Sequence, residues 1–222
     1  MQTEKVALFF KKWSPDMTYI LGFFAADGNL SINNRGGYYI SFQSKDRQII
    51  SDIKDAMGSL HKISKRKNSL TNTSFYRLQI GSKEIVEGFQ KIGFGKTKTK
   101  HLPFIKIPKV MFPYFVKGYF DGDGNIWQGK VHKERRTSHT VLQLAFTSAS
   151  SEFLYQLKNK LTSLLKTTGC LVTSKSGSYF RLQFSTGDAL KIYDFMYNTS
   201  TVSLCLKRKK VQFDRYIANM RA

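Results

Sequence analysis

The sequence predicts an α+β protein of two pseudo-symmetric units, each reading helix, two strands, helix, two strands, helix. Three observations carry this expectation. The first is an internal repeat: Tyr19-Ile-Leu-Gly-Phe-Phe-Ala-Ala-Asp-Gly-Asn-Leu30 returns 96 residues later as Phe115-Val-Lys-Gly-Tyr-Phe-Asp-Gly-Asp-Gly-Asn-Ile126, and Tyr76-Arg-Leu-Gln-Ile80 returns 104 residues later as Phe180-Arg-Leu-Gln-Phe184. The second is helical spacing of apolar residues between the motifs, in matching register in both copies. The third is period-two alternation in the segments around them. The copies divide the chain into a first repeat, 1–108, and a second, 109–222. The eight-residue growth of the offset places extra residues within Gln128 to Thr140.

The first motif helix is expected to open near Pro15, whose fixed φ suits a first turn, and to end at Asp27-Gly28, with Gly28 in the left-handed position. Pro113 and Asp123-Gly124 bracket its counterpart. Gly22 and Ala26, like Gly118 and Gly122, lie four residues apart, so each helix has a face without bulk against which another helix can pack closely. The next helix follows from Ile49, Ile50, Ile53, Met57 and Leu60, matched by Phe153, Leu154, Leu157, Leu161 and Leu164. Ser82 and Thr186 are expected to cap the third helix of each half.

Alternation assigns the faces of the strands. Ile40 and Phe42, Leu78 and Ile80, Leu144 and Phe146, and Leu182 and Phe184 point to the core. Tyr39, Ser41 and Gln43, Arg77 and Gln79, Gln143 and Thr147, and Tyr179, Arg181 and Gln183 point away from it. Trp127, which has Ser31 as its counterpart, could lie in the core or on a binding face, and the core is the expectation.

Among 222 residues, 36 Lys and Arg against 15 Asp and Glu give a formal charge of +21, which points to a polyanionic partner. Hydrophobic residues make up 41% and aromatics 14%, enough for a real core and too much for a disordered basic tail. No apolar stretch approaches the roughly 20 residues that cross a bilayer, and Met1 to Pro15 lacks the apolar core of an export signal. Cys170 and Cys205 do not combine with His61, His101, His132 or His139 at zinc-ligand spacing, which argues for a reducing compartment and against structural zinc. An intracellular location is expected, in a nucleoid, cytoplasm or organelle matrix according to where the target resides.

An outward face of Arg, Gln, Ser, Thr and Tyr has the donors and acceptors to meet base edges. Two such faces in a chain of charge +21 favour DNA over water as their partner. Asp27 and Asp123 recur at equivalent positions on the last turns of their helices, where the macrodipole disfavours a carboxylate by a few tenths to about 1 kcal/mol. Divalent cations would relieve that clash, and hard oxygen ligands select Mg²⁺. Asp121 has Ala25 as its counterpart, so only Asp27 and Asp123 form a symmetric pair, and Asp121 is expected to be structural.

Leu21-Gly-Phe-Phe-Ala-Ala-Asp-Gly28 and Val116-Lys-Gly-Tyr-Phe-Asp-Gly-Asp-Gly124 resemble the paired signatures of the single-chain, two-repeat LAGLIDADG homing endonucleases. The resemblance extends over nearly the whole chain, because the order of elements after each motif is also that of the family. It implies an αββαββα unit in each half, motif helices at the interface of the halves, and two saddle-like antiparallel sheets facing double-stranded DNA. It further implies a monomer without an obligate protein partner that cuts both strands of a long, imperfectly palindromic site to leave short 3′ overhangs. Asp27 and Asp123 would hold two or more Mg²⁺ ions. Lys98 and Lys209, chosen from the runs Lys96 to Lys100 and Lys207 to Lys210, and Gln43 would organise water around the metals. Thr147 stands where the second half would repeat Gln43.

Asn33 and Arg35 in the short first loop, and Lys130, His132, Lys133 and Arg135 in the longer second one, are expected to follow the DNA backbone. Two other functions could use the same scaffold: an RNA-binding intron maturase and a non-cleaving DNA-binding regulator. RNA folding by itself does not require the Asp27 and Asp123 pair, and a regulator on this scaffold typically brings an added helix-turn-helix segment.

Overall fold

A computed structural model of the chain describes residues 2–69, 71–95, 101–131, 139–198 and 201–221. The first half runs α1 (Gln2–Phe9), α2 (Pro15–Asp27), β1 (Gly28–Ile32), β2 (Tyr38–Ser44), α3 (Arg47–Ala56), β3 (Ile63–Lys67), β4 (Ser74–Gly81) and α4 (Lys83–Lys91). After a 3-10 turn at Lys109–Met111, the second half runs α5 (Phe112–Asp123), β5 (Gly124–Val131), β6 (His139–Ser148), α6 (Ser151–Leu165), β7 (Cys170–Thr173), β8 (Phe180–Phe184), α7 (Thr186–Tyr197) and α8 (Lys207–Arg221). The fold is α+β, with two antiparallel four-stranded sheets of the same order, β1-β2-β4-β3 and β5-β6-β8-β7. No helix of the described residues is long and apolar enough to cross a membrane.

The chain forms two compact units, Met1–Gly122 with Thr201–Leu206, and Asp123–Ser200 with Lys207–Ala222. In the first, the core lies under one sheet face, where Phe24 meets the rings of Phe42, Phe89 and Phe94 at 5.7, 4.6 and 5.1 Å. Burying each such ring contributes about 1.5 to 3 kcal/mol. α1, which the repeat does not foresee, adds buried Val6 and Ala7 and is followed by Phe10, edge-on to Phe89. In the second unit, Phe146 and Phe184 pack edge to face beneath their sheet, and Leu157 and Leu161 of α6 and Ile192 of α7 are buried.

Several local expectations change. Gly28 has φ −84° and ψ 164°, an extended conformation rather than a left-handed one, because α2 passes straight into β1 without a turn. Glycine is needed there for space: a β-carbon would strike the Phe24 ring. Thr186 does not cap α7. Its hydroxyl accepts from the Leu142 N–H at 3.0 Å and donates to the Leu142 carbonyl at 3.1 Å, tying α7 to β6. Ser82 does cap α4, accepting from the Ile85 N–H. Leu60 lies beyond the end of α3 and is exposed, since the chain turns at Gly58 with φ +61°.

Three extra residues in each of β5 and β6, relative to β1 and β2, and two more between the strands account for the eight-residue insertion. The longer hairpin is braced by α8, where the Gln128 Nε2 donates to the Gln212 carbonyl at 2.9 Å and the Tyr216 hydroxyl to the Thr140 carbonyl at 3.2 Å.

Candidate nucleic-acid interface

The two motif helices, α2 and α5 up to Gly122, pack together within the first unit through their glycines. A β-carbon on Gly22 would meet the Phe115 carbonyl oxygen and, at 2.9 Å, the Tyr119 nitrogen. One on Gly118 would meet the Tyr19 carbonyl oxygen and, at 2.9 Å, the Phe23 nitrogen. The contacts are reciprocal and backbone to backbone, so nothing larger than glycine fits without moving a helix. One turn further on, Gly122 faces the Ala26 methyl, and its β-carbon position lies 3.4 Å from Asp27 Oδ2. The close approach thus runs down to the half-buried carboxylate that ends α2. Asp123, also half-buried, is the last residue of α5.

Asp121 is of a different kind. It is 2% exposed, and its Oδ2 accepts from the Tyr19 hydroxyl at 2.6 Å and from the Leu206 backbone N–H at 2.9 Å. A buried carboxylate needs such donors, and these join α2, α5 and the segment before α8. Buried Lys117 donates to the Val202 carbonyl at 2.9 Å and lies 6.0 Å from the Tyr19 ring centroid, tying down the same segment. The repeat excludes Asp121 from the symmetric pair, but it carries no signal for Leu206, a partner 85 residues away.

Strand register places Asn29, Ser31, Tyr39, Ser41, Gln43, Ser64, Arg66, Arg77 and Gln79 on one face of the first sheet, since directly opposed residues share a face. Gln43 is exposed and opposite Arg77. Burial, and secondarily the like charge of Arg66, pull the Arg77 guanidinium below its ordinary value, an arrangement that an anion would relieve. Ser41 belongs to the face by register but is only 3% exposed, because it is small and sits between Asn29 and Gln79 on the flanking strands. Its hydroxyl is therefore not presented for base contact as expected. Asn33 is used within its own loop, its Oδ1 accepting from the Arg35 and Gly37 N–H groups at 3.0 and 2.7 Å. Arg35 is exposed.

The second sheet presents Asn125, Trp127, Gln143, Ala145, Thr147, Val172, Arg181 and Gln183 on the equivalent face. The Arg181 guanidinium lies 5.4 Å from the centroid of the Tyr179 ring. Trp127 is not in the core: it is 50% exposed and opposite Gln143. Strict alternation along β5 from buried Ile126 turns Trp127 outward, against the expectation.

Lys130 is exposed at the end of β5. Lys98, His132, Lys133 and Arg135 lie outside the described residues. Lys209 follows α7, the last helix of the repeat unit, and lies in the first turn of the additional helix α8, where it is 5% exposed. Among the described residues no three His, Cys, Asp or Glu side chains cluster as a metal cage. Single carboxylates at helix ends still suit Mg²⁺, which keeps most of its waters and takes one or two carboxylates together with phosphate oxygens.

Residues 14–93 match the LAGLIDADG-like domain. The chain is similar in fold to the I-LtrWI LAGLIDADG homing endonuclease bound to target DNA, with 13% identity over 99% of this chain and 91% of that one at a TM-score of 0.65. It is also similar to the I-SmaMI LAGLIDADG homing endonuclease bound to cleaved DNA, with 17% identity over 91% and 87% at 0.63, and to I-SmaMI bound to uncleaved DNA in the presence of calcium ions, with 17% identity over 86% of each at 0.60. A curated relative from Methanopyrus kandleri, a component of its A-type ATP synthase, is 23% identical over 116 residues, 52% of this chain but only 11% of that protein's length.

Proposed function

We propose that this chain, with a LAGLIDADG-like domain at residues 14–93 and the two-repeat fold of the LAGLIDADG homing endonucleases along most of its length, is a site-specific, Mg²⁺-dependent double-strand DNA endonuclease. The observation that carries this reading is duplication: two polar sheet faces of like chemistry, each entered from a helix that ends in Asp.

In this reading the sheet faces lie in the major groove. Arg77, Gln79, Arg181 and Gln183 meet base edges, while Arg35 and Lys130, with His132, Lys133 and Arg135, pair with phosphates. Asp27 and Asp123 hold the divalent ions. Bound there, the ions would activate water, neutralise the scissile phosphate and assist departure of the 3′ oxygen. Gln43 orients water by hydrogen bonding, and Lys98 and Lys209 supply positive charge and protons for the same water network. Thr147, shorter than Gln43, makes the handling of the two strands unequal. One chain carries both repeats, so a monomer suffices, the target is long and imperfectly palindromic, and the products carry short 3′ overhangs.

The test is selection from a randomised duplex library in Ca²⁺, then Mg²⁺-dependent cleavage of the selected site. Wild type is expected to cut both strands. Asp27→Asn and Asp123→Asn should each bind nearly as well while cleavage falls by about a thousandfold or more. Cleavage surviving in either variant would overturn that ligand's role. A site bound but never cut by wild type would replace the endonuclease with a regulator, or with a maturase if intron RNA binds more tightly than duplex.

A further inference from the structure

The two polar faces are not equivalent. Three positions that hold serine in the first sheet hold apolar residues in the second. Ser31 is opposite Tyr39, and Trp127 is opposite Gln143. Ser41 lies between Asn29 and Gln79, and Ala145 between Asn125 and Gln183. Ser64 is opposite Arg77, and Val172 opposite Arg181.

Two of the three share one cavity. Asn125, Trp127, Gln143, Ala145, Arg181 and Gln183 line a shallow depression of about 320 Å³ on this face, with buried Ala145 at its floor and the half-exposed indole as a wall. The indole is seated by the backbone: a β-carbon on Gly129, two residues along β5, would collide with its six-membered ring. The site is therefore an apolar wall and floor rimmed by one guanidinium and three side-chain amides. Val172, 40% exposed, extends the apolar surface beyond Arg181.

In a major groove, guanidinium and amide groups have hydrogen-bonding partners on every base pair, but the one apolar group displayed there is the C5-methyl of thymine. We infer that Trp127 and Ala145 form a C5-methyl pocket that selects thymine at one or two positions of the half-site bound by the second repeat. In the first repeat Ser31 and Ser41 hold those places, and the depression on that face is lined by Ser31, Tyr39, His61 and Gln79 rather than by an indole and a methyl. This inference rests on the DNA-endonuclease reading.

The test uses the selected duplex, with affinity measured in Ca²⁺ so that it is not cut. Each thymine in turn is replaced by deoxyuridine, which removes only the methyl group. For wild type, one or two positions in one half-site should lose about fourfold in affinity, the worth of one buried methyl. At the same positions 5-methylcytosine should bind better than cytosine. Trp127→Ser should bind the thymine and deoxyuridine duplexes equally, while Trp127→Phe, which keeps an aromatic wall and guards against a folding artefact, should retain part of the discrimination. A selected and cleaved site with no methyl-sensitive position, or methyl sensitivity undiminished in Trp127→Ser, would overturn the inference and leave the nuclease intact. Failure to select any duplex would overturn the endonuclease reading and this inference with it.

Discussion

The first and second halves are most alike where their motif helices meet and least alike where their sheets face outward. Gly22 and Gly118 play interchangeable parts, each against the other helix's backbone. On the sheets, Arg77 and Arg181 or Gln79 and Gln183 still correspond, yet Ser31, Ser41 and Ser64 give way to Trp127, Ala145 and Val172. β1 and β2 are shorter than β5 and β6, and α8 braces only the longer pair. A close helix contact admits one solution, so both copies keep it. A surface that reads a sequence must differ between copies if the two half-sites differ.

The largest effect that tests this comparison is at the helices. Gly22→Ala and Gly118→Ala should each cost about 3 kcal/mol or more, by similar amounts, because each new methyl meets backbone. Gly122→Ala should cost less, since it meets the Ala26 methyl and the end of the Asp27 side chain. Thermal or denaturant unfolding measures all three, and a Gly118→Ala protein as stable as wild type would break the symmetry.

An intermediate effect separates the units by pH. Burial works to raise the Asp188 carboxyl, but hydrogen bonds from the Thr168 N–H and hydroxyl and the charge of Lys191 overcome it and hold it below its ordinary value. Burial likewise works to raise the Asp214 carboxyl, and hydrogen bonds from Lys210 and Tyr193 outweigh it, so this group too is lowered. Carboxyls lowered in the folded state contribute stability that is complete above their unfolded value, about 3.9, and is lost as pH falls through the folded value. Both lie in the second unit. Acidification below about pH 4 should weaken that unit, and Asp188→Asn or Asp214→Asn should flatten the dependence. An unchanged acid slope in both variants would remove these carboxylates as its cause.

The smallest effect is a footprint. Cys170 is exposed and opposite Gln183 on the second face, whereas Cys205 is half-buried. Bound target duplex should slow alkylation of Cys170 several-fold and leave Cys205 little changed. Equal protection of both thiols would place the DNA elsewhere.

Much of the fold was legible in the chain because a repeat supplies its own control. Ile40 with Phe42 and Leu144 with Phe146 show the same alternation, and the sheets form where they predict. Boundaries were harder. Gly28 reads as a turn glycine because Asp-Gly usually is one, whereas its role is to clear the Phe24 ring, a contact visible only once α2 and β1 are joined. Thr186 has the composition of a cap and is instead drawn to Leu142, 44 residues away. α1 belongs to neither copy, so the repeat holds no trace of it.

The amino-acid sequence by itself determined the two-unit α+β plan, the equivalent repeat positions of Asp27 and Asp123 and the polar chemistry of the outward faces, because periodicity and repetition are local properties of a chain. Tertiary structure alone decided that Asp121 anchors Tyr19 and Leu206, that Ser41 is covered, and that Lys209 is buried at the start of a further helix. Each of those outcomes depends on partners remote in the chain. Burial is set by what packs against a residue, and no local pattern records it.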